Sequence, residues 1–189
     1  MDEEAAFWLL STICEDFVPE YYSRALVGSI VDQQLFENLV DKLMPQVSRH
    51  FNELGVSTGI ITCPWFMCLF IGYVPLEVSL RILDLFFYQG KDILQKVGLA
   101  IFKTLKDQIL EIKDSVLLLR LLKEDLNPDW KDILNIVVEE YHTLPVTTED
   151  VNQLRNSNKF KAIKDLERIN KLSQLRYLET VTKCKISFY

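Results

Sequence analysis

Apolar positions recur three and four residues apart along most of this chain, and period-two alternation is almost absent, so the pattern predicts helix after helix. Residues 2–17 open with acids in the first turn, where a helix dipole favours them, and Phe7, Leu10, Cys14 and Phe17 then share a face. Pro19 ends that element, and residues 19–31 read as loop. The next helix is expected over 32–44, with Asp32 as its N-cap and Leu35, Leu39 and Leu43 on one side. Pro45 opens a short helix at its first turn, and Gly55 supplies a left-handed stop.

The stretch TCPWFMCLFIGYVPLEV, residues 62–78, lies in a run without charge between Glu53 and Glu77. A bilayer span needs about 20 apolar residues in continuous helix. Gly55, Gly59, Pro64, Gly72 and Pro75 interrupt this run, and its longest unbroken piece is WFMCLFI. The expectation is a soluble core helix over 64–71. Residues 75–90 run from Pro75 to Gly90, with Leu76, Leu80, Leu83 and Phe87 marking one face. Val78, Ile82, Leu85 and Phe86 widen that face almost all round, which predicts burial between neighbours. Glu77, Arg81 and Asp84 form a polar strip on this helix, in the plain reading a surface ion ladder; were the Arg81–Asp84 pair partly buried, Arg81→Ala would be strongly destabilising.

Residues 91–113 read as one long amphipathic helix, 114–125 as a short and very apolar one, and 129–141 as another capped by Asp129. Short connections make successive helices neighbours, giving an all-α, multi-helix bundle. In the tail, Ile163, Leu166, Ile169, Leu172, Leu175 and Leu178 recur every three residues. That spacing slips about 60° per step on a helix, so a break between Asn170 and Ser173 is expected, with docking on two surfaces.

With 49% hydrophobic and 25% charged residues in 189, the chain suits one soluble globular domain or one lobe of a larger domain. Its net charge of −6 leaves no footprint for nucleic acid over the whole surface. The charge is uneven: 12 Lys and Arg face 22 Asp and Glu up to Leu144, against 9 and 5 from Pro145 onward. The basic tail residues interleave with Phe160 and Tyr177; a solvated face is the plainer reading, anionic lipid or nucleic acid the sharper one. Cys14, Cys63, Cys68 and Cys184 with His50 and His142 show no metal-ligand spacing, so no metal or cofactor is expected. A Cys–His nucleophile pair has no support beyond residue type. QGKD at 89–92 lacks the remaining features of a phosphate-binding loop, and no G-x-S-x-G elbow occurs. The acidic start, MDEEAAFW, is unlike the basic head of a signal peptide, which points to a cytoplasmic protein.

Four segments say more. DEEAAFWLL, VDQQLFENLV with LMPQVSRHFNELGV, CPWFMCLF, and VPLEVSLRILDLFFYQGKDILQKVGLAIFK together resemble the C-terminal half of a TBC domain, the domain of Rab GTPase-activating proteins. Trp8, Asp32, Gln33, Trp65, Phe66, Phe70, Pro75, Arg81, Asp84 and Gly90 carry the likeness and are taken as structural positions. It is firm over residues 2–106 and looser to 145, dividing the chain into a lobe at 1–145 and a helical C-terminal extension at 146–189. The family's chemistry rests on an arginine finger in I-x-x-D-x-x-R and a glutamine finger in Y-x-Q. Neither motif occurs here; IKDLERI at 163–169 places its acid and arginine differently. No catalytic residue is therefore assigned.

The resemblance implies a lobe whose parent stimulates GTP hydrolysis by a Rab-family small GTPase in vesicle traffic, with the fingers supplied by an N-terminal lobe. It implies a cytoplasmic protein that could also sit peripherally on endomembranes, and a lobe face open to homo-oligomerisation. The alternative is a non-catalytic helical adaptor that binds a protein partner in membrane traffic.

Overall fold

A computed structural model describes residues 1–124, 126–139, 152–153, 155–164, 167–168 and 171. The described residues form the expected all-α architecture. Helix α1 spans Glu3–Thr12 and continues into a wider π turn at Ile13–Phe17. Asp2 caps it, its carboxylate accepting from the Ala5 amide at 2.8 Å. Then come α2 (Val27–Leu43), α3 (Pro45–Glu53), α4 (Thr58–Met67) and α5 (Leu76–Gln89). They are followed by α6 (Asp92–Thr104), α7 (Lys106–Glu111), α8 (Ser115–Lys123) and α9 (Trp130–Glu139).

Helix α6 is the central strut. It packs on α2, α5 and α9, while α2 also packs on α3 and α4. Ten consecutive residues of α6, Ile93 to Phe102, are buried. The core is aromatic: Phe36 sits edge-on to Phe66 and Phe102, with centroids 5.6 and 5.3 Å away, and Phe51 stacks on Phe102 at 5.4 Å. Gly98 permits that closeness, because a Cβ there would lie 2.7 Å from the Phe36 ring.

Several boundaries depart from the sequence pattern. Helix α2 begins at Val27, five residues before Asp32, so Asp32 is an interior residue and not an N-cap. Gly28 and Ser29 read as loop because both are weak helix formers, but packing overrides propensity. A Cβ at Gly28 would come within 2.5 Å of the Pro19 carbonyl oxygen, so this glycine lets α2 press against the preceding turn.

The helix expected at 64–71 lies instead at Thr58–Met67 and carries Pro64 inside it. Ser57 starts it, its hydroxyl accepting from the Gly59 amide at 3.2 Å, and the Thr62 hydroxyl donates to the Thr58 carbonyl. Leu69 and Phe70 then turn the chain with φ of 50° and 63°, an uncommon conformation for residues with large side chains. Among the described residues no helix is long and apolar enough to cross a membrane. The expected long helix over 91–113 is two, because Leu105 turns between α6 and α7. Asp129 caps α9 as expected, accepting from the Lys131 amide at 2.9 Å. The predicted break at 170–173, apart from Lys171, lies outside the described residues, as does most of the three-residue repeat.

Candidate functional site

Two features of the body invite a functional reading: an ionic cluster around the buried Asp32, and a stripe of exposed apolar residues on α5 with a second set on α1.

Asp32 projects from the inner face of α2 and is 1% exposed. One carboxylate oxygen accepts from the Tyr21 hydroxyl at 2.7 Å and lies 3.7 Å from the Lys91 ammonium; the other accepts from Arg155 Nε at 2.7 Å. Arg155 also reaches Asp92 at the start of α6, with 2.8 Å between Nη2 and the carboxylate. Gln95 donates its side-chain amide to the Asp32 carbonyl at 3.0 Å, tying α6 to α2. Two carboxylates thus face two cations, and a buried charge survives only when paired in this way.

The electrostatics follow from this geometry. Burial pushes the Tyr21 phenol well above its usual range, and the neighbouring Asp32 carboxylate adds to the rise. Burial lowers the Lys91 ammonium, with Asp32 acting against it. For Arg155, burial pulls down while Asp32 and Asp92 outweigh it, so its pKa is raised and the guanidinium stays charged.

Lys96, one turn along α6, is pushed down to about 8 by burial, with Asp92 opposing. Its folded pKa lies below the ordinary 10.5, so between those values the unfolded chain holds more protons and stability rises with pH. Wild type should therefore gain stability relative to Lys96→Met as pH goes from 8 to 10, in urea denaturation at each pH. Parallel stabilities across that window would show that Lys96 bears no such penalty.

The stripe is the second feature. On α5 the positions read as the core face, Leu76, Leu80 and Phe87, are exposed, and Leu83 is half-buried; Val78, Ser79, Ile82 and Phe86 face the core instead. The expectation of all-round burial is therefore wrong. A nearly cylindrical apolar pattern cannot say which side meets neighbours. On α1, Phe7, Trp8 and Leu10 are also exposed, and Phe7 packs edge-on to Trp8 at 5.3 Å. Phe17 joins the two helices, with its ring 5.1 Å from Phe86 and 5.6 Å from Phe87.

The remaining motif residues fall into distinct places. Trp65, Phe66 and Phe70 are fully buried, Trp65 lying 5.6 Å from Phe70 and 6.1 Å from Phe102. Gln33 is half-buried and donates to the Ser29 hydroxyl at 2.9 Å. Pro75 precedes α5, and its carbonyl accepts from the Ser79 amide at 2.9 Å; Gly90 ends α5 with φ of 83°.

Arg81 and Asp84 pair at 3.5 Å, but their side chains are 73% and 69% exposed. The pair is therefore a surface ion ladder and not a partly buried one: the strip points to solvent because Ile82 and Phe86 turn the other way. Arg81→Ala should change stability by no more than about 0.5 kcal/mol in thermal or urea unfolding, and a larger loss would show hidden coupling.

His50 Nε2 donates to the Ile112 carbonyl at 2.8 Å, so that nitrogen is committed to structure. Cys14 and Cys63 are half-buried free thiols and Cys68 is an exposed one. The sequence pattern missed Tyr21, Lys91 and Arg155 as partners of Asp32, and Asp92 as the second carboxylate on Arg155. Only the i, i+11 and longer separations of the fold bring them together.

Comparison with known proteins agrees with this architecture. Residues 1–110 match the Rab-GTPase-TBC domain family, so the chain belongs to that family. It is 30% identical over 179 residues to TBC1 domain family member 2B of Xenopus tropicalis, covering 93% of this chain and 18% of that protein. It is 30% identical over 181 residues to TBC1 domain family member 2A of Mus musculus, covering 94% and 19%. The chain thus spans less than a fifth of the length of these relatives. The crystal structure of the Chlamydomonas flagellar RabGAP TBC domain superposes with a TM-score of 0.65 at 28% identity, over 74% of this chain and 47% of that one.

Proposed function

We propose that this chain is the C-terminal lobe of a Rab GTPase-activating domain, and that it supports catalytic fingers carried elsewhere. The observation that carries the reading is a mismatch. Residues 1–110 belong to the family, yet neither I-x-x-D-x-x-R nor Y-x-Q occurs in the 189 residues. Overlap with 47% of the Chlamydomonas domain supports assigning it one half of the fold. Exposed apolar residues on α1 (Phe7, Trp8, Leu10) and the stripe on α5 (Leu76, Leu80, Phe87) supply apolar surface on which the other half could seat. In this role the Asp32 cluster fixes α2 against α6, so that the seat has one shape. The complete domain would act on a Rab-family GTPase in the cytoplasm during vesicle traffic.

An arginine finger is worth about 10³–10⁵ in GTPase rate, so the chain alone should not accelerate hydrolysis. Phosphate release from a panel of GTP-loaded Rab GTPases tests this, and stimulation of any one by about a hundredfold or more would sink the proposal. A finger-bearing half from a TBC relative, added in trans, should bind the stripe and restore activity. If that half neither binds nor restores hydrolysis, the adaptor reading takes its place.

A further inference from the structure

The helical segment 155–164, outside the family match, has two faces of different chemistry. One is docked on the body. Arg155 enters the Asp32–Asp92 cluster, Lys159 pairs with Glu20 at 2.8 Å, and Asn158 and Ala162 are buried. At 100° per residue, positions 155, 158 and 162 lie within about 60° of one another. Position 160 falls nearly opposite.

That opposite side is basic and apolar. Phe160 is 66% exposed, and the Lys164 ammonium sits over its ring, 5.0 Å from the centroid. Ile163 is 40% exposed. Lys161 and Lys164 are exposed, as are Arg168 and Lys171 further on, against one exposed acid among the described residues of this stretch, Glu167. We propose that this outward face is a contact surface for an anionic membrane.

An exposed aromatic ring and an isoleucine flanked by long lysines suit the headgroup region of a bilayer. There the ring can leave water while each ammonium stays at the level of the lipid phosphates. The division of charge gives the contact a direction. The body, with 12 Lys and Arg against 22 Asp and Glu up to Leu144, is repelled by an anionic surface, while the tail, with 9 against 5, is drawn to it. Because Arg155 and Lys159 are engaged with body acids, membrane binding through Phe160 would orient the whole lobe. The competing occupant is the acidic body of a second copy of this chain.

The test is co-sedimentation of the 189-residue chain with phosphatidylcholine vesicles, alone or with about one third phosphatidylserine. The chain should bind the anionic vesicles, bind the neutral ones far less, and dissociate as salt is raised. Each lysine near such a surface contributes about fivefold, so Lys161→Glu with Lys164→Glu should lower partition at least about 30-fold. Phe160→Ala should also lower it. All three side chains are exposed, so thermal unfolding should be unchanged and a fold defect would be visible separately.

Four outcomes would overturn the proposal: no binding to either vesicle, equal binding to both, undiminished binding by the charge-reversed variant, or self-association abolished by these substitutions with vesicle binding intact. The last would assign the face to a second copy. None depends on whether the chain stimulates a GTPase.

Discussion

Asp32→Ala is expected to destabilise the protein by about 3–5 kcal/mol, because it removes the one fully buried carboxylate that two partly buried cations and a buried phenol share. The carboxylate is 1% exposed and serves Tyr21, Lys91 and Arg155 together. Its loss strands the Tyr21 hydroxyl and leaves Arg155 with Asp92 alone. Arg155→Ala should cost less, since Asp32 would still hold Tyr21 and Lys91. The double variant should be less damaged than the two single losses added together, because the residues share one cluster. Urea denaturation of the four proteins measures all these differences. A loss below about 1 kcal/mol for Asp32→Ala would mean that water or rearrangement satisfies the cluster without it.

This cluster also marks the limit of what the sequence showed. Asp32 stood out there, but as a cap, because a carboxylate before a helical apolar pattern is a strong local signal. The tertiary role was invisible for a definite reason. Its partners lie 11, 59 and 123 residues away, and no periodicity encodes such pairings. Local signals fared better where the cause was local. Pro45 opens α3, Gly55 adopts φ of 66°, and Asp129 caps α9. The all-α class was legible for the same reason, since it follows from spacing alone.

The failures on α4 and α5 have opposite origins. On α4, Gly59 and Pro64 read as breaks, yet both sit within a helix started by Ser57. On α5, apolar residues on every side hid the choice of face. The side read as core is uncovered in the described structure, with Leu76, Leu80 and Phe87 exposed. A pattern of that kind fits a helix meant for contact on both sides, which agrees with the proposed seat for a second half of the domain.

Trp65→Ala should be the most damaging change to the apolar core, at about 3–5 kcal/mol. Trp65 is fully buried near the end of α4, with its ring against Phe70 and Phe102, so truncation empties space that α2, α4 and α6 enclose together. The turn after α4 raises the cost. Phe70 holds φ of 63°, and its amide donates to the Trp65 carbonyl at 2.8 Å. Packing of the Phe70 ring on the indole helps offset the strain of that conformation, so a cavity at 65 weakens the turn as well as the core. Trp65→Phe separates volume from hydrogen bonding. The indole Nε1 has no hydrogen-bond partner among the described residues, so phenylalanine removes bulk without breaking a bond. Its cost should be well under half that of alanine in urea denaturation. If phenylalanine proved as damaging as alanine, the indole N–H would have to be engaged, and Trp65 would be a polar anchor instead of a filler of the core.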